Sequence, residues 1–259
     1  MNRFTKGGCH LKKNIRNKRL LWSVSILLIV FLCIGGCALY LSDSYRADEE
    51  AISSFAEKNN VPTAVLSDRM TAFGNSSADT GLIFYPGGKV ECAAYEPLMR
   101  LLASQGLLCV LIEMPFNLAV FDADAAEDVQ DSFPEIKRWF IGGHSLGGAM
   151  AASYLSAHVT DFVGLVLLGS YSTADLSQSA LSVLSLVGSE DGVMNRETYE
   201  QCRSNLPTDL TEITIEGGCH AYFGMYGLQK GDGTPLISAD EQIRQTARYI
   251  ADFTAKGEN

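Results

Sequence analysis

The feature that most constrains this chain is a ten-residue stretch at residues 139–148, which reads WFIGGHSLGG. An apolar run suited to a buried strand ends there in the pattern Gly-x-Ser-x-Gly, and small residues suited to a helix follow at once. In such a pattern the serine lies on a tight strand-to-helix turn, exposes its hydroxyl at the end of a sheet, and needs glycines beside it for close packing. The stretch therefore predicts a nucleophile elbow with Ser145 as the candidate nucleophile.

The N-terminal region predicts a membrane segment. Residues 20–41 contain no charged side chain, and about 20 apolar residues suffice for a helix to span the hydrocarbon core. Seven basic residues precede this run and no acidic residue does, so residues 1–19 are expected to stay in the cytoplasm. We therefore expect a single-pass protein of the cell membrane, with an uncleaved signal anchor at 20–41 and a catalytic domain at 42–259 outside the cytoplasmic membrane.

Two other fates of the N-terminal segment stay open. A cleaved signal peptide is one, although the apolar run exceeds the roughly 7–15 residues of a typical signal-peptide core and no good Ala-x-Ala site follows it. A lipoprotein is the other, because Ile34-Gly35-Gly36-Cys37 is a loose version of a lipid-attachment box. The apolar residues directly after Cys37 favour the signal anchor instead.

Composition limits the partners of the domain. Beyond residue 42 the chain has 13 basic and 30 acidic residues, a net charge of −17, which disfavours nucleic acid or an anionic membrane surface as a partner. About 215 residues suit one domain with a sizeable core. The sequence has no phosphate-binding Gly-x4-Gly-Lys-Ser/Thr loop, no strand-linked Gly-x-Gly-x-x-Gly and no metal-ligand spacing, so we expect no cofactor and no metal. The cysteines of the domain are interpreted as structural or inert.

Apolar runs alternate with helical segments along the domain, which predicts an α/β fold with a mostly parallel sheet covered by helices on both faces. Strands are expected at residues 63–66, 81–85, 107–113, 138–142, 162–168, 181–187 and 210–215. Helices are expected at residues 47–59, 92–105, 146–157, 195–204 and 239–255, with a short acidic helix or loop at 122–131.

Ligands of open parallel sheets bind at the carboxyl ends of the strands, and three reactive residues fall at such ends. Ser145 follows one strand, Asp191 follows the strand at 181–187, and His220 follows the strand at 210–215. A serine hydroxyl needs an adjacent base, imidazole titrates in the right range, and a carboxylate fixes the imidazole tautomer. We therefore expect a catalytic triad of Ser145, His220 and Asp191.

Other residues compete for these roles. The remaining histidines do not occupy strand ends: His10 lies in the basic segment, His144 within the elbow and His158 at a helix end. Glu190 adjoins Asp191 and is the nearest rival for the acid. Asp122 and Asp124 follow the strand before the elbow, the wrong side for the chain order Ser…Asp…His.

The oxyanion of an acyl-transfer intermediate needs two backbone donors. One is expected to be the N–H of Leu146, directly after the nucleophile, and the other that of Gly88 in the turn Pro86-Gly87-Gly88-Lys89, with Lys89 as the alternative. Only 12 residues separate the strands ending at 168 and beginning at 181. No large cap is therefore expected, and residues 116–124 and 222–234 are left to cover the site.

Over residues 60–255 these motifs resemble the α/β-hydrolase superfamily, and in particular its small lidless branch often labelled dienelactone-hydrolase-like. The tail that begins His220-Ala221-Tyr222-Phe223-Gly224 and includes Gln229 and Gly231-Asp232 is similar to bacterial membrane-anchored members. Dienelactone hydrolases proper have a cysteine nucleophile, so Ser145 favours ordinary ester chemistry.

The resemblance implies a serine hydrolase that cleaves a carboxylic ester or related acyl bond through an acyl-enzyme. Its substrate would be a small-molecule or lipid-like acyl compound. An envelope acyltransferase with the same triad and a non-catalytic membrane-anchored binding module remain alternatives.

Overall fold

The computed structural model describes residues 22, 25–36 and 39–256, and these divide into two units between Asp43 and Ser44. In the first unit, Ser25–Ser42 is a helix long and apolar enough to cross a membrane, and it lies near the N-terminus. A signal sequence has the same properties, so this is weak evidence for a span. The predicted cytoplasmic segment 1–19 and the lipoprotein candidate Cys37 lie outside the described residues.

The second unit is built on an eight-stranded sheet with helices on both faces, the fold class predicted from the sequence. Its strands are β1 (Thr63–Ser67), β2 (Met70–Phe73), β3 (Thr80–Tyr85), β4 (Leu108–Ile112), β5 (Arg138–His144), β6 (Gly164–Leu168), β7 (Ser182–Gly188) and β8 (Leu210–Ile215). They are arranged in the order β1-β2-β4-β3-β5-β6-β7-β8. The two pairings that involve β2 are antiparallel and all others are parallel, so β3 to β8 end at the same edge.

Strand burial explains the continuous apolar runs. Every residue of β3, β4 and β6 is buried, because both faces of the sheet are covered. On β3, the side chains of Leu82 and Phe84 join one core while those of Ile83 and Tyr85 join the other, as the two-residue period of a strand requires.

Five α-helices are described in this unit: α1 (Glu49–Lys58), α2 (Glu96–Ser104), α3 (Leu146–Ala157), α4 (Arg196–Cys202) and α5 (Ala239–Thr254). Buried side chains of α1, α2 and α5 lie in one core, and those of α3 lie in the other. Side chains cap several N-termini: Asp48 accepts from Ala51 N–H and Ser238 from Glu241 N–H. These caps begin α1 and α5 within two residues of the predicted positions.

The structure differs from the sequence prediction at two places. The segment predicted as one helix at residues 92–105 begins with a 3₁₀ turn at Cys92–Tyr95, and α2 starts afterwards with Pro97 in its first turn. A proline fits there because the first-turn N–H groups have no intrahelical acceptor. Strand β2 was missed, since its four residues lack a clear alternation and follow β1 after a tight turn.

Candidate active site

The strand-to-helix turn that the sequence predicts around Ser145 is formed between β5 and α3. Ser145 has φ 52° and ψ −122°, a strained conformation for a residue with a side chain. The small residue at 147 makes this turn possible. A Cβ on Gly147 would collide with the carbonyl oxygens of Tyr85 and Pro86 on the neighbouring strand end. The backbone therefore holds Ser145 at the carboxyl edge of the sheet.

Asp191 and His220 are brought together by the ends of β7 and β8. Asp191 Oδ2 lies 2.8 Å from His220 Nδ1, and both side chains are buried. The other carboxylate oxygen, Oδ1, accepts from the N–H groups of Val193 at 2.9 Å and Met194 at 2.8 Å. The carboxylate is thus fixed on its own loop, and a proton on Nδ1 is directed to it.

The surroundings of Asp191 keep it ionised. Burial by itself raises the pKa of this carboxyl group, but the hydrogen bond and charge of His220, together with the N–H groups of Met194 and Val193, outweigh it. The pKa of Asp191 therefore lies below its ordinary value of 3.8. Near neutral pH the group is a carboxylate, the form that stabilises an imidazolium.

Ser145 and His220 line the same cavity, which has a volume of about 280 Å³. Its walls include Leu146, Tyr171 and Met194, and among residues 22, 25–36 and 39–256 no Asp, Glu, Lys or Arg side chain lines it. The Nε2 atom of His220 is buried and has no hydrogen-bond partner among the described residues. Because Nδ1 bonds to Asp191, Nε2 is the ring nitrogen that remains available for a further hydrogen bond.

Gly88 and Leu146, the two predicted oxyanion donors, are close neighbours. A Cβ built on Gly88 would lie 3.0 Å from Leu146 Cδ2. Leu146 opens α3, where an N–H has no intrahelical acceptor. The alternative donor, Lys89, has φ 62° and donates its N–H to the carbonyl of Asn117 at 2.7 Å. Its N–H is therefore already used, which favours Gly88.

The rival acids are engaged elsewhere. Glu190 Oε1 accepts from Ser189 Oγ at 2.9 Å, and Asp122 forms an ion pair with Arg69 at 2.7 Å. Cys219 precedes His220, but burial, followed by the charge of Asp232, raises the pKa of its thiol to about 12. A thiol with such a pKa is a poor nucleophile near neutral pH.

His144 lies under the site and is a poor candidate for the base. Its Nδ1 is 2.7 Å from Tyr95 Oη, and that oxygen accepts the N–H of Gly87 at 3.0 Å. Burial, and then the charge of His220, lower the pKa of His144 well below its ordinary 6.5. The neutral ring therefore accepts a hydrogen bond from the Tyr95 hydroxyl. Together, His144 and Tyr95 support the backbone of Gly87, next to Gly88.

Asp232 is a residue whose role the sequence reasoning missed. Its carboxylate accepts four backbone N–H groups: Oδ1 from Gly192 at 3.1 Å, His220 at 3.1 Å and Gly233 at 2.9 Å, and Oδ2 from Ala221 at 2.8 Å. It thereby joins the loop after Asp191 to the loop that begins at His220. The sequence signal was an aspartate between two glycines in a loop, which indicates a turn but not its partners.

Tyr45 is a second missed residue, at the start of the folded unit. Its N–H donates to the carbonyl of Lys89 at 2.6 Å, and its carbonyl accepts from Glu91 at 3.0 Å. Its ring lies 5.8 Å from that of Tyr226, centroid to centroid. Tyr45 therefore connects the turn that contains Gly88 with the loop that follows His220.

No group of three His, Cys, Asp or Glu side chains in the described part of the chain could hold a metal ion.

Comparison with known proteins gives a family and a fold. Residues 81–244 match the family model described as "Alpha/beta hydrolase family". A predicted CIB-like hydrolase from Thermoplasma acidophilum is similar in structure, with 13% identity, a TM-score of 0.53, and coverage of 74% of this chain and 98% of that one. Carboxylesterase CesB (YbfK) from Bacillus subtilis shares 13% identity, with a TM-score of 0.57 and coverage of 80% and 97%. A search of curated protein sequences gave no significant match.

Proposed function

This chain belongs to the alpha/beta hydrolase family, and from that premise we propose that it is a serine hydrolase that cleaves a carboxylic ester or a related acyl bond. Its triad would be Ser145, His220 and Asp191. The Bacillus subtilis neighbour is a carboxylesterase, which agrees with ester chemistry, although 13% identity supports only a shared fold.

One observation supports the proposal most directly. A strained serine and a buried histidine line the same cavity, and the Nδ1 atom of that histidine is bonded to a carboxylate. His144 also has a buried Nε2 atom without a partner among the described residues, but its Nδ1 bonds to the hydroxyl of Tyr95 rather than to a carboxylate. In His220 the unpartnered Nε2 is the atom that a general base needs.

The geometry suggests the following steps. His220 Nε2 takes the hydroxyl proton of Ser145 as Oγ attacks the acyl carbon of the substrate. The N–H groups of Gly88 and Leu146 stabilise the oxyanion, and Asp191 stabilises the imidazolium. The intermediate then expels the alcohol, which takes the proton from His220. Water, deprotonated by the same nitrogen, attacks the acyl carbon, and the bond to Ser145 Oγ breaks. Oγ takes the proton back from His220, and the acid is released.

We also propose that the chain is anchored by its N-terminal helix as a single-pass protein of the cell membrane, with residues 1–19 in the cytoplasm and the catalytic domain on the other side. The apolar helix Ser25–Ser42 and the basic residues before it support this arrangement. A membrane-anchored hydrolase with an outward site would act on acyl compounds of the cell envelope.

A covalent probe tests the hydrolase proposal. We expect a fluorophosphonate to label the detergent-solubilised full-length protein, and Ser145→Ala to abolish the labelling, because Ser145 Oγ is the proposed nucleophile. The rate of p-nitrophenyl butyrate hydrolysis should fall about 10⁶-fold in the same variant.

The neighbouring serine provides a matched control. Ser170 Oγ donates to the carbonyl of Ser145 at 2.7 Å and lines the same cavity, so Ser170→Ala keeps the nucleophile and should still be labelled. Labelling of folded Ser145→Ala protein would show that the nucleophile lies elsewhere. Absence of both labelling and hydrolysis in the wild-type protein would favour a binding module.

A further inference from the structure

Three large apolar side chains are exposed together beside the candidate site. Phe116, Val120 and Phe121 have exposed fractions of 60%, 52% and 54%, and the two phenylalanine rings meet edge to face with centroids 5.7 Å apart. We call these three residues the apolar ridge. Scattered single apolar residues are normal on a surface, whereas a contiguous group at a functional site indicates a binding surface.

The ridge is built on strained backbone. Phe116 and Asn117 have φ values of 54° and 55°, in the left-handed region that bulky residues rarely adopt. Strain of this kind persists only where surrounding contacts impose it, and it is concentrated at functional sites. A phenylalanine at such a position that leaves most of its ring in water gains little from burial. Folding stability alone therefore does not account for it.

The backbone next to the ridge and the start of the folded unit both form hydrogen bonds with Lys89. Residues 116–121, which carry the ridge, are called the ridge segment. Lys89 N–H donates to the carbonyl of Asn117 in this segment at 2.7 Å. The carbonyl of Lys89 accepts the N–H of Tyr45 at 2.6 Å. The ridge segment and the first residues of the folded unit are thus bonded to opposite sides of one residue, next to the proposed oxyanion donor Gly88.

The position of Tyr45 in the sequence relates the ridge to the membrane that the apolar segment would cross. In the sequence only Asp43 separates Ser42, the last residue of the apolar segment, from Ser44, the first residue of the folded unit. Each residue extends a chain by at most about 3.6 Å, so Tyr45 stays near the surface of any membrane that the segment crosses. The same bilayer is therefore available to the ridge.

We propose that the apolar ridge contacts the lipid surface of the membrane in which the chain is anchored, and that the substrate is an amphiphilic ester presented at that surface. This inference rests on the proposed hydrolase function and membrane anchor. Asp122 and Asp124 follow Phe121 in the sequence, so acidic residues lie close to the ridge along the chain and a zwitterionic surface suits it better than an anionic one.

The first test compares two substrates on full-length protein in phosphatidylcholine vesicles. One is soluble p-nitrophenyl butyrate, and the other is a long-chain fluorogenic ester dissolved in the same vesicles. We expect Phe116→Ser/Phe121→Ser to lower the rate on the vesicle ester about tenfold, because apolar area no longer enters the interface. The rate on the soluble ester should change less than about twofold, as for most exposed substitutions.

The control variant is Val65→Ser/Leu66→Ser, which removes exposed apolar side chains from β1. It should leave both rates unchanged. An equal loss on both substrates in the ridge variant would reject a lipid contact, since the ridge would then act on the reaction itself. Full retention of the vesicle rate would also overturn the proposal.

The second test reads the contact without catalysis, so it separates a failed docking surface from a failed hydrolase. The chain has two tryptophans, and Trp139 is 5% exposed. In a Trp22→Phe background, brominated phosphatidylcholine should quench the fluorescence of Phe121→Trp and leave that of Val65→Trp unchanged. Equal quenching of the two variants, or quenching of neither, would disprove the lipid contact whatever the activity.

Discussion

At the scale of single residues, three carboxylates near His220 differ in what their oxygens accept. Asp191 accepts from the imidazole and from two backbone N–H groups. Asp232 accepts from four backbone N–H groups, and Glu190 accepts from a serine hydroxyl. Asp191 can therefore act on the charge of His220, Asp232 acts on its position, and Glu190 does neither.

These differences predict a ranking of three conservative variants. Asp191→Asn should lower kcat about 10⁴-fold, because an amide no longer holds the productive tautomer of His220. Asp232→Asn should lower kcat about 10²-fold with little change in KM, because a misplaced histidine slows the reaction without removing the substrate pocket. Glu190→Gln should stay within about tenfold. The measurement is steady-state kinetics on a soluble ester.

Fluorophosphonate labelling rates give the control for this ranking, since they report the nucleophile and base without substrate turnover. Labelling of Asp232→Asn should slow in parallel with its kcat, and circular dichroism should show native folding. If Glu190→Gln is as damaging as Asp191→Asn, the acid is one residue away from the position proposed here. If Asp232→Asn is fully active, its four hydrogen bonds serve stability alone.

The residues at strand ends could be predicted because a strand ends where its apolar run ends. Parallel strands bring their carboxyl ends to one edge, so Ser145, Asp191 and His220 could be placed near each other from spacing alone. Asp232 could not, because it lies twelve residues beyond His220 in a loop. Loop paths depend on hydrogen bonds between distant backbone groups, which leave no periodic pattern in the sequence.

At the scale of elements, the segment between the apolar helix and α1 bonds to two loops that carry residues of the proposed site. Tyr45 pairs with the turn around Lys89, and Asp48 N–H donates to the carbonyl of Met225 at 2.9 Å. Both Lys89 and Met225 lie near proposed catalytic groups, Gly88 and His220 respectively. The segment therefore links the oxyanion turn to the loop that follows the base.

Two soluble fragments test the role of this segment. A fragment that starts at Asp43 retains Tyr45, whereas one that starts at Ala47 lacks it. We expect the shorter fragment to have a kcat about tenfold lower, because the oxyanion turn loses a backbone partner, while KM changes little. Esterase kinetics on both fragments provide the measurement.

A point variant separates the backbone from the side chain in this comparison. Tyr45→Ala in the longer fragment keeps both backbone bonds to Lys89 and Glu91. It loses the ring contact with Tyr226 and the hydrogen bond that Tyr45 Oη accepts from the N–H of Lys230 at 3.3 Å. Its activity should lie between those of the two fragments. Equal kcat values for the two fragments would show that the segment does not support the site.

The elements themselves were largely predictable, but their arrangement was not. Continuous apolar runs identify β4 and β6, and the residues of α3 and β8 agree with the prediction from end to end. The position of β3 between β4 and β5 depends on crossover connections, whose geometry a single sequence does not encode locally. The antiparallel strand β2 was too short to produce a periodic signal.

At the scale of the whole molecule, charge is distributed unequally about the apolar segment. All 30 acidic residues follow it, and seven of the 20 basic residues precede it. Basic residues close to a membrane helix favour retention on the cytoplasmic side, while acidic residues have little influence on orientation. The basic segment, rather than the acidic domain, is therefore the determinant of the proposed topology.

Protease access to intact spheroplasts of a bacterial host tests this topology. With a tag at the N-terminus, we expect the tag and the domain to run as one chain before treatment, because the anchor is uncleaved. External protease should then remove the domain and leave a short tagged fragment, which the membrane protects. A cleaved signal peptide or a lipoprotein would instead separate the tag from the domain before any treatment. If the domain were digested only after lysis, the site would face the cytoplasm, and the substrate would have to be sought among cytoplasmic acyl compounds rather than those of the envelope.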